Sequence, residues 1–122
     1  MLSITGSDLT NVAVAHLRQD FPENEFLRVD IGAPISNLAD RKFHAISALD
    51  VLFHVVDDRR YEAAIANIHD MLKPGGWFIF SNNVLHSCAD RTTHEVSRSI
   101  ADVTSILGQV GFQIVRRRRC LC

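Results

Sequence analysis

No apolar run in this sequence approaches the roughly 18–20 residues that cross a bilayer, so no transmembrane helix is expected. Cysteine is scarce: Cys88, Cys120 and Cys122 form an odd set, and Leu121 alone separates the last two. Such spacing suits neither a disulfide nor a zinc site, so reduced thiols, a cytoplasmic location and no metal are expected. An excess of one charge is missing as well. A net charge of -1 argues against a general polyanion or nucleic-acid binder. The "RRRR" run at 116–119 is a local exception, read as a solvated end or a strand edge blunted by charge. The opening "MLSITGSDLT" has neither a basic nor an apolar leader region, so it does not read as a signal peptide. Repeats, low-complexity linkers and composition breaks are absent too, so residues 1–122 are expected to form a single domain.

What is present reads as a globular α/β chain, with 47% hydrophobic and 22% charged residues. "LSITGSD" is a short strand ending in Asp8, and Thr10 is an N-cap for the helix "NVAVAHLRQDF". Pro22 stops that helix, and "EFLRVDI" alternates into a second strand finishing at Asp30. "GAPISNLADRK" is a loop, after which "FHAISALDVLFHV" starts as a buried strand and turns irregular near Asp50. Asp57 and Asp58 place negative charge at a helix start. That helix carries Tyr61, Ala64, Ile65, Ile68 and Leu72 at spacings of three and four, an apolar stripe. Pro74, Gly75 and Gly76 break it before the strand "WFIF". A polar stretch, 81–95, leads to a last helix "EVSRSIADVTSILGQV", and "FQIV" after Gly111 reads as a final strand. Alternating strands and helices predict a parallel sheet with right-handed crossovers.

Ligands of open α/β sheets sit at the carboxyl ends of strands. Asp8, Asp30 and Asp50 each end one predicted strand. Carboxylates there suit a ribose diol or an exocyclic amine, through charge-assisted hydrogen bonds. The plainer reading of each is a helix cap or local turn. Spacing alone does not name the ligand.

The segment "FHAISALDVLFHVVDDRRYEAAIANIHDMLKPGGWFIFSNN" resembles the second half of class I S-adenosylmethionine-dependent methyltransferases. In that family a strand runs into a D/N-x-x-x-H stretch, an acidic pair, a helix, L-x-P-G-G and a further strand. "ITGSDLT" and "AVAHLRQDFPENEFLRVDI" are similar to its second strand, helix and third strand, and "GFQIV" to its sixth strand. The resemblance implies a Rossmann-like, mostly parallel sheet with flanking helices. It implies S-adenosylmethionine as cofactor and methyl transfer to an unidentified acceptor, a small molecule ahead of a macromolecule. Carried onto this sequence, Asp8 looks like the ribose ligand, and Asp30 with Ile31 like the adenine contacts. Ala48, Leu49 and Asp50 match the position beside the methionine part, and His54 matches a frequent histidine beyond it. Residues 82–95 correspond to the acceptor pocket, where His86 and His94 lack metal-ligand spacing on a helix.

The family's glycine-rich D/E-x-G-x-G-x-G loop has no counterpart here, since Gly6 stands alone and Gly32 is followed by Ala33 and Pro34. The chain begins at what would be the second strand. The expected fold is therefore an incomplete form of the seven-stranded one, read as a truncated gene product. The absent strand would lie between the second and fourth, leaving unpaired edges at roughly 1–3 kcal/mol per unsatisfied group. Self-association through those edges, or service as a non-catalytic interaction module, is the alternative expectation. A nicotinamide-dependent dehydrogenase would also need a glycine fingerprint and ranks last.

Overall fold

A computed structural model describes residues 3–35, 38, 40–49, 51–81, 84–85, 90–91 and 96–115. The first strand, β1, covers Thr5–Asp8 and leads into helix α1, Asn11–Asp20. Thr10 caps α1 as expected, its side chain accepting from the Ala13 N–H at 3.2 Å. Strand β2, Glu25–Arg28, pairs parallel to β1 with Thr5 opposite Glu25 and Asp8 opposite Arg28. It stops two residues short of Asp30, where a turn begins.

Strand β3, Phe43–Ala48, is followed by a single 3-10 turn, Leu52–His54. Helix α2, Asp58–Met71, starts on Asp57, whose side chain accepts from the Arg60 N–H at 3.0 Å. Tyr61, Ala64, Ile65 and Ile68 of the expected stripe are buried on α2; Leu72, expected to close it, is buried too but lies beyond the helix, as the first residue of the next strand. Strand β4 runs Leu72–Phe80, parallel to β3, and the Pro-Gly-Gly break lies inside it as a bulge. Phe43 faces Leu72 but Ala45 already faces Trp77. Gly75 takes φ +78 there, and a Cβ on Gly76 would come 2.8 Å from the Lys73 carbonyl oxygen.

Short strands β5 (Val84–Leu85) and β6 (Asp90–Arg91) flank β7 (Val96–Ser99), parallel and antiparallel to it respectively. The expected last helix is thus shorter than its apolar spacing indicated. Helix α3 spans Ile100–Val110, because Ser99 caps it by accepting from the Asp102 N–H at 3.1 Å. It ends on Gly111 in the left-handed region, φ +117. The "FQIV" strand expectation is not met: residues 112–115 pair with no strand among the described residues. The "RRRR" run, the three cysteines, His86 and His94 lie outside the described residues.

Helices α2 and α3 cover one face of β3–β4. Leu52, Tyr61, Ile65, Ile68, Val103 and Leu107 form the core there, with Ile46, Ala48, Phe78 and Phe80 against them. Each large apolar side chain buried this way contributes about 1.5–3 kcal/mol. The alternate residues of β4, Trp77 and Ile79, are each 58% exposed on the other face. Among the described residues β1–β2 and β3–β4 are separate ladders, not one sheet. Side chains join them instead. Val29, Leu38 and Met71 form a second apolar cluster with Leu27, Ile31 and Phe43. Arg41, just before β3, reaches Glu25 at 2.5 Å and the Thr5 hydroxyl at 3.2 Å. No helix among the described residues is long and apolar enough to cross a membrane.

Candidate functional site

Parallel pairing places the ends of β1 and β2 side by side, and with them two of the expected carboxylates. The ladder runs one bond past β2, the Val29 N–H donating to the Asp8 carbonyl at 2.9 Å. Asp30 follows, with its Oδ1 accepting from the Gly32 N–H at 3.2 Å in a tight turn. Asp8 also makes a local turn: its Oδ1 accepts from the Thr10 N–H at 3.0 Å and from the Thr10 hydroxyl at 3.2 Å. Both plainer readings therefore hold together with the strand-tip placement. Asp8 is exposed and Asp30 half-buried.

The loop after Asp30 is fastened to α2. Asn67 Nδ2 donates to the Ile31 carbonyl at 2.8 Å and to the Ala33 carbonyl at 2.9 Å. Arg60, in the first turn of α2, forms an ion pair with Asp30. Hydrogen bonding from Arg60 is the main cause holding the Asp30 carboxyl below its ordinary range. The Gly32 amide and the charges of Arg60 and Arg28 act in the same direction, while partial burial opposes them. Neither Arg60 nor Asn67 was visible to strand-tip reasoning. Each meets a partner more than 30 positions away or close to it, and helical periodicity marks both as solvent-side residues.

Ala48 closes β3, half-buried against the helices, and its carbonyl accepts from the Ser81 N–H at 3.3 Å. Leu49 next to it is 62% exposed. His54 lies exposed at the end of the 3-10 turn. Asp50, the third expected carboxylate, lies outside the described residues, as does most of the 82–95 stretch. The described residues hold no cluster of three or more metal-ligating side chains.

A cleft of about 340 Å³ lies elsewhere, between α2 and α3, and none of the expected site residues lines it. Its wall includes Asp58, Glu62, Asp102 and Arg98. Arg98 is 3% exposed, its guanidinium stacked 3.8 Å over the Tyr61 ring. Its Nη2 donates to the Val55 carbonyl at 2.9 Å and to Asp58 at 3.2 Å, fastening β7 to α2. Nothing in the local residue pattern marks this burial, since an arginine between two serines reads as exposed.

Residues 1–76 match the family model described as a methyltransferase domain. The chain belongs to the methyltransferase-domain family. No curated protein matches it. Among solved structures, this methyltransferase-domain chain is similar to a TehB-like SAM-dependent methyltransferase from Corynebacterium glutamicum. That likeness has TM-score 0.69 and 20% identity, covering 89% of this chain and 53% of the other. A S-adenosylmethionine-dependent methyltransferase from Clostridium acetobutylicum superposes with TM-score 0.75 at 15% identity, covering 98% of this chain and 68% of that one. The cyclase SpnF superposes with TM-score 0.74 at 25% identity, covering 94% of this chain and 44% of its own. The methyltransferase-domain chain thus spans about half to two thirds of the length of the first two. Likenesses this remote establish the α/β fold alone.

Proposed function

We propose that this chain supplies the adenosyl-binding part of an S-adenosylmethionine-dependent methyltransferase acting on a small-molecule acceptor in the cytoplasm. The observation that supports the reading is the parallel β1–β2 pair, in which Asp8 ends β1 and Asp30 opens the turn just beyond the end of β2. The donor set fits the nucleoside. A carboxylate accepts two hydrogen bonds from a cis-diol, which suits Asp8, or one from an exocyclic amine, which suits Asp30. Ile31 contributes backbone beside the purine, in a loop that Asn67 holds rigid. Ala48 and Leu49 border the amino-acid end with small and apolar surface, and Asp50 keeps the neighbouring role that the resemblance implies.

When bound, the sulfonium supplies an electrophilic methyl, for which alignment with the acceptor is the main requirement. His54 is the side chain assigned to take the acceptor's proton at an imidazole nitrogen, since histidine is the commonest general base. Calorimetric titration with S-adenosylhomocysteine tests the binding assignment without any turnover. The reading predicts saturable heat that Asp8→Ala and Asp30→Asn each weaken. Absent heat, or heat that both variants leave unchanged, contradicts it.

A second reading, an interaction module, is favoured by the two unjoined ladders and by Trp77 and Ile79 on the bare face of β3–β4. On this reading the chain self-associates through its open strand edges. Sedimentation of the purified chain separates the two, because the module reading alone requires a concentration-dependent mass.

A further inference from the structure

Arg60 belongs to no motif that the strand pattern singles out, yet it covers one of the proposed ligand groups. Its Nη2 lies 2.5 Å from Oδ1 and 2.6 Å from Oδ2 of Asp30. Near-equidistance from both oxygens puts the nitrogen across the open end of the carboxylate, where the inner lone pairs converge. The Gly32 N–H takes a further position on Oδ1. Of roughly four acceptor positions on a carboxylate, one on Oδ2 is left.

The arrangement is built into the fold. The Arg60 N–H is held by the Asp57 cap, and the Gly32 backbone lies directly against the Arg60 residue. A Cβ on Gly32 would come 3.1 Å from the Arg60 carbonyl oxygen and 3.4 Å from its Nε. Asn67, about two helical turns on, clamps the same loop. One helix therefore supplies both the brace for the 31–33 loop and the cation that closes its carboxylate.

We propose that Arg60 is a gate on the adenosyl site, setting its affinity and its purine selectivity by taking two of the Asp30 acceptor positions, so that an exocyclic amine is confined to the one left on Oδ2 beside the guanidinium. The proposal rests on the reading of Asp30 as a nucleoside ligand. The gate is low. The Arg60 side chain is 46% exposed and that of Asp30 30%, so water receives the guanidinium when it leaves. Ion pairs this exposed are weak enough for a ligand to displace. The opposite arrangement has Arg60 staying in place and stacking on the purine, which would add a favourable contact.

The test is calorimetric titration of the full chain and of Arg60→Gln and Arg60→Met with S-adenosylhomocysteine, adenosine and inosine, with thermal melts to verify folding. Two variants guard against one that fails to fold. The gate predicts roughly threefold tighter S-adenosylhomocysteine binding in both variants. The gain should appear for adenosine and vanish for inosine, which carries an oxo group in place of the amine. Damage to the α2 N-terminus would instead weaken both purines alike. Equal or weaker binding in the variants, with Asp30→Asn still weakening the wild type, overturns the gate and leaves the Asp30 assignment standing. No heat with the wild type or either variant overturns the assignment and the gate together.

Discussion

The Val29 amide donates to the Asp8 carbonyl at 2.9 Å, carrying the β1–β2 ladder one bond beyond its regular end. This backbone bond puts Asp30 one residue beyond the hydrogen-bond partner of Asp8, and each carboxylate has its own partners, the Thr10 amide and hydroxyl for Asp8 and Arg60 and the Gly32 amide for Asp30. Val29 is buried in the cluster with Leu38 and Met71. The next residue, Asp30, therefore turns outward beside the tip of β1. Backbone pairing sets the positions, the buried valine sets the direction, and the acidic side chains supply the chemistry.

Titration of Asp30 is the first consequence. Hydrogen bonding from Arg60 lowers its folded-state pKa, so the pair's contribution is complete above the unfolded value near 4. That contribution is lost as pH falls through the lowered folded value. Carboxyl ¹³C NMR should show Asp30 titrating below the ordinary aspartate range, and Arg60→Gln should move it back up. The accompanying loss of acid-side stability should stay under about 1 kcal/mol, as for other partly exposed pairs.

Packing makes a sharper demand. Ile68 lies on the buried stripe of α2 and is 1% exposed, while Val12 of α1 is 70% exposed. Ile68→Ala should cost about 2–5 kcal/mol in urea unfolding, and Val12→Ala no more than about 0.5 kcal/mol.

Two glycines near the chain's last helix should respond with opposite signs. Gly111 has φ +117, and an added Cβ would come 3.1 Å from His69 Nε2. Gly111→Ala should therefore destabilise by about 1–2 kcal/mol. Gly108 sits within α3 with open space around it, so Gly108→Ala should stabilise by about 0.5–1 kcal/mol. Thermal melts of the two variants decide both.

The bare face of β3–β4 gives a solubility prediction. If Trp77 and Ile79 mediate association, Trp77→Asp should shift the sedimentation profile to monomer without lowering the melting temperature, since Trp77 is largely exposed. An unchanged profile would remove that face from any association.

Much of this architecture was legible in the residues. The α2 stripe obeys the helical period closely: Tyr61, Ala64, Ile65 and Ile68 are buried on it, while Leu72 is buried as the first residue of β4 because the helix stops at Met71. Thr10 and Asp57 cap where short polar side chains precede apolar periodicity. The last helix was misjudged at its start because Val96 continues the apolar spacing of Ile100, Val103 and Leu107. Ser99 ends that continuity by capping, and the burial of Arg98 against Tyr61 fixes the preceding strand. "FQIV" has strand composition, but a strand needs a neighbour, and residues 112–115 pair with none among those described. Asp8 was legible as a strand end; Asp30 was not, since β2 stops at Arg28 and Asp30 opens the turn that follows. The cation on Asp30 was not, because nothing local connects positions 30 and 60.

Carboxyl ¹³C spectra recorded while S-adenosylhomocysteine is added test the central claim most directly. Adjacent strand-tip binding predicts that the Asp8 and Asp30 resonances move together and saturate at one ligand concentration, while exposed Asp20 stays still. Saturable binding that leaves both resonances in place would contradict the account.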